Sequence, residues 1–240
     1  MTDEELLALM YDFYNEHVLR DQNDDIEYYL KQIEEYQSKK LLVVGAGTGR
    51  VAIPISKNIE LSALDLDPAR LKVLKNKEPN INTICCDIVD YKKDRNFDMI
   101  ILPYSTLQFG GSGEKTNNMI SSLTSLMDHN TVLIFDVSES FNNKDRSSRK
   151  LLFSDYCREV DDNIDVYYSA ERYESYMEFL VDYYLEKQQK HLFENEKYSY
   201  YEPDLLTRLL DENGLYVSKK DDGYGNSKML HKHLYHCRRL

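Results

Sequence analysis

The chain opens with two stretches whose apolar residues recur at helical spacing. Leu6, Leu9, Met10, Phe13 and Tyr14 predict an amphipathic helix over 4–19. Ile26, Tyr29, Leu30 and Ile33 predict a second over 24–37, with Asp24 or Asp25 as its N-cap. The rhythm then changes. "KLLVV" runs straight into glycine, and a short continuous apolar run suits a strand buried on both faces. The helix "RVAIPISKN" follows, with Pro54 early enough for its first turn. Next come the strand "IELSALDLD", the helix "PARLKVLKNK" opened by Pro68, and the strands "NTICCDIVD" and "FDMIILPY". A helix over 114–128 and the strand "TVLIFDVS" complete the series. Strands alternating with helices through short connections predict a parallel, doubly wound sheet.

From 151 to 201 the pattern differs. "DVYYSAERY", "SYMEFLVDYYLEK" and "QKHLFENEKYSY" are tyrosine-rich and partly alternating, as antiparallel strands are. "EPDLLTRLLDENG" is then a helix, with Pro203 near its start and Gly214 just past its end. "LYVSKKDDGYG" and "KHLYHCRRL" read as two last strands able to pair at the sheet edge.

Composition narrows the choices. A chain of 240 residues makes one large domain, or one domain with a sizeable insertion. Its net charge of −12 repels a polyanion, which disfavours nucleic acid as a partner. The densest basic run, Lys144–Lys150 with Arg146 and Arg149, also carries an aspartate and reads as a solvated loop. Cys85, Cys86, Cys157 and Cys237 form no C-x-x-C pair and no metal-ligand spacing, so no metal is expected. Reduced cysteines and the acidic start "MTDEELLALM" lead to an expectation of a cytoplasmic protein. No apolar run has the length of a membrane span.

The chemistry starts at "LLVVGAGTGR". A glycine-rich turn between a first strand and a helix lets backbone N–H groups approach a ligand closely. Gly45, Gly47 and Gly49 are spaced G-x-G-x-G, and Arg50 stands where a dinucleotide fingerprint needs its third glycine, which disfavours NAD. Asp65, at the end of the second strand, can accept hydrogen bonds from both hydroxyls of a ribose; NAD and S-adenosyl-L-methionine (SAM) sites both use such a carboxylate. Asp87, at the end of the third, can accept from an adenine amino group or cap a turn.

Gly45-Ala46-Gly47-Thr48-Gly49, "ALDLDP" with Asp65, "CCDIVDY" with Asp87, and "FDMIILPYSTLQF" stand in the order and spacing of the class I SAM-dependent methyltransferases, which the chain resembles over 40–137 and in its closing segment. The resemblance implies an α/β fold: a doubly wound, Rossmann-like, mostly parallel seven-stranded sheet with an antiparallel C-terminal hairpin and an inserted antiparallel β-subdomain. Residues 1–150 and 202–240 would form the core, with 1–38 as a helical cap, and 151–201 the substrate-side insertion. SAM would be the cofactor and S-adenosylhomocysteine the product. Gly45, Ala46, Gly47 and Gly49 would pass around its amino-acid part. Asp65 would hold the ribose, Leu66, Asp87 and Ile88 would flank the adenine, and Leu102 would face the methyl end.

The chain is more similar to a bacterial small-molecule branch that includes amino-sugar N,N-dimethyltransferases. Tyr11, Asp12 and Tyr14 match its "YD-x-x-Y" helix, and Tyr104-Ser105-Thr106-Leu107-Gln108 its stretch after the fourth strand. Phe109 departs from the histidine that often follows there. Leu102-Pro103-Tyr104 lacks the polar first residue of the DNA amino-methylating enzymes. Tyr14 is a candidate to close over SAM or orient the substrate, and Tyr104, Ser105 and Gln108 are candidates for the acceptor pocket. The tyrosines at 167, 168, 173, 176, 183 and 184 could form an aromatic wall for a cationic amine or simply suit strands. His17, His191, His231, His233 and His236 could each reach the site or decorate a surface, and "GGSGEK" (110–115) could be a lid or a plain loop.

The expected function is methyl transfer from SAM to a small-molecule acceptor, at an amine nitrogen rather than a hydroxyl, by a monomer or homodimer. The alternatives are an RNA or protein methyltransferase, a non-catalytic SAM-binding partner subunit, and an NAD-dependent oxidoreductase.

Overall fold

The computed structural model describes residues 1–19, 23–92, 97–138, 147–224 and 232–240. The core elements are α1 (Asp3–Val18), α2 (Asp24–Glu35), β1 (Lys40–Val44), α3 (Ala52–Ser56), β2 (Glu60–Asp65), α4 (Pro68–Lys77), β3 (Asn82–Cys85), β4 (Met99–Leu102), α5 (Thr106–Phe109), α6 (Glu114–Ser125) and β5 (Val132–Ser138). The strands β6 (Ser147–Cys157), β7 (Asp162–Arg172), β8 (Tyr176–Leu185) and β9 (Lys190–Ser199) follow, then α7 (Pro203–Glu212), β10 (Leu215–Asp222) and β11 (Lys232–Arg239).

The main sheet has seven strands in the order β10-β11-β5-β4-β1-β2-β3. All run parallel except β11, which is antiparallel to both β5 and β10. The order reverses at β1, which pairs with β2 on one side and β4 on the other. A crevice at the carboxyl ends beside such a switch point is where open α/β sheets bind ligands. Leu41 to Val44, Met99 to Leu102 and Val132 to Phe135 are all buried, as strands covered on both faces must be. One layer of core packs around Leu42, Ile100 and Phe135, the other around Leu41, Ile101 and Ile134.

The insertion begins at Ser147, before the expected boundary, and has four antiparallel strands in the order β6-β7-β8-β9 rather than three tyrosine-rich segments. The extra strand, β6, escaped notice because its charged and apolar residues do not alternate cleanly. The two helices of the N-terminal region divide their work. Tyr29 and Ile33 of α2 join the main core, whereas Leu6, Met10 and Phe13 of α1 pack on Ile164, Val166, Tyr183 and Leu185 of the inserted sheet. The N-cap of α2 is Asn23, and Asp25 lies in the first turn, buried. α3 is shorter than predicted. α7 ends as expected, with Gly214 in the left-handed region at φ 73°.

Gln108 of α5 joins the two sheets. Its amide N–H groups donate to the carbonyls of Ser138 (3.3 Å) and Ser199 (2.9 Å). Its carbonyl accepts from the Ser138 N–H (2.7 Å) and the Tyr198 hydroxyl (2.7 Å). One buried side chain thereby ties β5 of the core to β9 of the insertion.

Candidate functional site

A cavity of about 1310 Å³ lies between the carboxyl edge of the main sheet, α1 and the inserted sheet. A ligand site is typically about 300–1,000 Å³, so this one has room for two adjoining small molecules.

The core side of the cavity is the glycine turn and the strand ends. Gly45, Ala46 and Gly47 line it. Gly45 has φ 71°, and a Cβ there would stand 2.5 Å from the Thr106 side chain, so only glycine fits. Asp65 accepts the Gly47 N–H (2.7 Å) and the Asp67 N–H (2.9 Å), one on each oxygen. Each oxygen keeps a further lone pair toward the cavity, as a ribose diol requires. Leu66, unusually exposed for a leucine at 71%, stands at the lip, with Asp87 and Ile88 beside it. Asp87 also accepts the Val89 N–H (3.0 Å), so the two roles weighed for it are compatible.

Two expected cofactor residues lie elsewhere. Gly49 does not line the cavity; at φ 92°, a Cβ there would meet Ile53 and Leu74 within 2.9 Å, so it serves helix packing. Leu102 is fully buried in the core, and Pro103 and Tyr104 occupy the cavity wall instead.

The four candidates for acceptor chemistry divide evenly. Tyr14 and Tyr104 both line the cavity, and among the described residues neither hydroxyl has a hydrogen-bond partner. Burial pushes the Tyr14 hydroxyl up to about 12, with the charges of Glu196 and Glu194 behind it. Burial likewise raises Tyr104, followed by Tyr14, Tyr11 and Glu196. Ser105 borders the cavity, but its N–H and hydroxyl both donate to Asp136 (2.9 and 3.0 Å). Gln108 is withdrawn from the cavity by the four bonds described above, because a buried amide must satisfy its own polar atoms first.

The "YD-x-x-Y" match gains a physical explanation. Tyr11 and Tyr14 face the cavity, while Asp12 accepts from the Thr48 hydroxyl (2.7 Å) and Lys77 (2.6 Å), tying α1 to the glycine turn.

Several site residues were missed. Arg70 of α4 lies over the Tyr11 ring, 4.0 Å from its centroid, and pairs with Glu194 and Glu196 of β9. Burial raises both carboxyls above their ordinary value, against the pull of Arg70. Lys232 of β11 donates to Ser105 (3.0 Å) and Asp136 and sits 4.6 Å from the Tyr104 ring centroid. Arg50 pairs with the buried Asp25 and lies 5.4 Å from the same ring. The one signal available in the sequence was in "HLFENEKY". Phe193 is exposed while Glu194 and Glu196 turn inward, the reverse of an ordinary half-buried strand.

The remaining candidates disperse. Of the six tyrosines, Tyr168 lines the cavity; Tyr183 is buried within the insertion, Tyr173 and Tyr176 stack on each other, Tyr167 carries Arg149, and Tyr184 lies against His191. His17 lies at the cavity rim, bonded to Asp155 (2.9 Å) and stacked on Phe153. His191 and His233 pair with Asp182 and Asp222, away from the cavity, and His236 is buried beneath α2. His231 and residues 144–146 of the basic run lie outside the described residues. Of that run, Arg149 is committed to Asp182. In "GGSGEK" the Gly111 carbonyl accepts from Thr116 and Tyr201, which makes the segment a fastened turn.

Residues 41–130 match the family model described as a methyltransferase domain. Among curated proteins, none matches the chain by sequence. Solved structures with this architecture include a SAM-dependent methyltransferase from Clostridium acetobutylicum (15% identity, 96% of this chain and 98% of that one, TM-score 0.79). The sugar N-methyltransferase KedS8 from Streptoalloteichus is also similar (13% identity, 96% and 93% coverage, TM-score 0.77). So is SAM-bound CalS10, an amino pentose methyltransferase from Micromonospora echinaspora (15% identity, 91% of each chain, TM-score 0.67). The fold and the glycine turn thus have the architecture of the Rossmann-like, SAM-dependent methyltransferases. Residues 41–130 carry the pattern of that methyltransferase-domain model.

Proposed function

We propose that the protein transfers a methyl group from SAM to the amine nitrogen of a small molecule, with S-adenosylhomocysteine as product. The observation that carries this reading is the cavity itself: it exceeds one cofactor, and its second half is walled by the inserted sheet. The residues suit the cofactor. Gly45 and Gly47 leave space for backbone approach, and Asp65 has free lone pairs where a ribose would lie.

SAM supplies an electrophilic methyl on a sulfonium, so the protein need only align the acceptor, exclude water and let the nitrogen shed a proton. Ala170, Phe179, Val181 and Met177 make the acceptor wall largely apolar. Glu196, Tyr14 and Tyr104 are among the polar groups that share the cavity with it. A neutral amine needs no strong base, and the histidine that borders the cavity, His17, is bonded to Asp155. The likeness to a sugar N-methyltransferase and an amino pentose methyltransferase supports an amino-sugar acceptor. The four free cysteines suit a cytoplasmic setting.

The test is turnover with SAM and matched pairs of compounds, each an amine and its hydroxyl counterpart, beginning with glucosamine and glucose. Production of S-adenosylhomocysteine with the amine members supports the reading. Turnover confined to the hydroxyl members, or to RNA or protein, overturns it.

A further inference from the structure

The inserted sheet presents an ordered face to the cavity. Cross-strand partners run Lys150, Tyr168, Val181 and Glu194 in one row, then Ala170, Phe179 and Glu196, then Arg172, Met177 and Tyr198. On such a face, alternation should bury apolar residues on every strand. β8 complies, β7 does so up to Arg172 at its end, and β9 does not: it turns two carboxylates inward, where burial is costly unless each finds a partner.

The two are not equivalent. Glu194 is taken up by Arg70 and by the Tyr183 hydroxyl (3.1 Å). Glu196 has only the flank of the same guanidinium, at 3.7 Å. Arg70 is further drawn to Asp67, at 3.4 Å. One guanidinium thus serves three carboxylates, and Glu196 stands farthest from it. Independently, Tyr14 and Tyr104 line the same cavity as Glu196, their hydroxyls have no partners among the described residues, and both feel the charge of Glu196. A carboxylate in the same cavity as two tyrosine hydroxyls without partners among the described residues is complementary to an organic ammonium group, which can donate to all three. A divalent metal would need more donors, and among the described residues no three such side chains group together.

We propose that Glu196, flanked by Tyr14 and Tyr104, receives the acceptor's ammonium group and takes its proton before methyl transfer. This rests on the amine reading above. The step balances: one N–H bond of the ammonium breaks, an O–H bond forms on the Glu196 carboxylate, and the electron pair stays on nitrogen as the nucleophile. The proton leaves to solvent after the product departs. Glu194 and Arg70 are positioning residues, which hold the Glu196 strand against α4.

Burial and Arg70 of α4 set the charge state of Glu196, and the other titratable groups around it are Glu194 on its own strand, Tyr11 and Tyr14 of α1, and Tyr104 with Lys232 and Arg50 against its ring. Burial favours its neutral form, so ammonium binding should weaken as pH falls toward the ordinary carboxylate range.

The experiment is calorimetric titration of the protein saturated with S-adenosylhomocysteine, using benzylammonium and the neutral benzyl alcohol as probes. Wild type should prefer the ammonium by at least about tenfold, a preference that declines on acidification. Glu196→Gln should abolish it while S-adenosylhomocysteine affinity stays unchanged, and Tyr14→Phe should reduce it. Equal binding, no binding of either probe, or a preference that survives Glu196→Gln overturns the proposal. Methyl found on nitrogen despite an intact preference in Glu196→Gln would remove only the role of Glu196. Methyl found on oxygen would instead remove the amine reading.

Discussion

At Asp65 one side chain performs two tasks. It fixes the glycine turn through the Gly47 N–H, and in the proposed function it also receives the ribose. Each charge-assisted hydrogen bond is worth about 1.5–3 kcal/mol. Asp65→Ala should therefore weaken S-adenosylhomocysteine binding on the order of 100-fold, measured by calorimetry. Asp65→Asn, which keeps one acceptor, should weaken it less. This residue was legible in the sequence because its role is local, at the end of a strand that follows a glycine turn. Glu196 and Lys232 were not. Their partners lie 126 residues away at Arg70 and 127 away at Ser105, and nothing near them in sequence indicates those pairings.

Among elements, α2 is held to the core by charge as well as by Tyr29 and Ile33. Asp25 and Arg50 form a buried pair, and removing one member of such a pair costs about 3–5 kcal/mol because the other stays buried and unmatched. Arg50→Leu should lower stability to urea by roughly that amount, and adding Asp25→Asn should recover much of the loss. At the far end of α2, Tyr28 donates to Asp221 (2.6 Å) and Tyr36 meets the His236 Nδ1 (3.0 Å). With Tyr28 so engaged, its oxygen accepts from His236 Nε2–H, and Nδ1 accepts from Tyr36; this tautomer is assigned from the network. Burial, then Lys219, pushes His236 down to about 4 from 6.5. The unfolded chain binds this proton first on acidification, so stability should fall progressively from pH 6.5 toward pH 4. His236→Gln should flatten that part of a stability–pH curve. Helix and strand identities were readable from periodicity. Asp25 was read as an N-cap because an acidic residue at a helix start normally is one; its true partner comes from the following βα turn.

Across the whole molecule, two sheets share one cavity, and the link between them is narrow. Gln108 satisfies both Ser138 backbone groups, the Ser199 carbonyl and the Tyr198 hydroxyl. Gln108→Ala should remove these four bonds, leaving Tyr198 its contact with Ser105 (3.1 Å), at a cost of about 3 kcal/mol by chemical denaturation. It should also impair acceptor turnover more than S-adenosylhomocysteine binding, because Gln108 fastens β9 and, among the described residues, makes no hydrogen bond with the glycine turn. The parallel sheet was clear in the sequence from its rhythm of apolar runs and glycine turns. The division of the N-terminal region was hidden, since both helices are amphipathic and periodicity does not say which sheet each stripe meets.

The central claim is that the glycine turn and Asp65 form a SAM site at the carboxyl edge of this sheet. The most direct test is calorimetric titration of wild type and Asp65→Ala with S-adenosylhomocysteine and with NADH. The structure predicts a single S-adenosylhomocysteine site in wild type, strongly weakened in the mutant, and no heat from NADH. Binding of NADH, or S-adenosylhomocysteine affinity unaffected by Asp65→Ala, would contradict it.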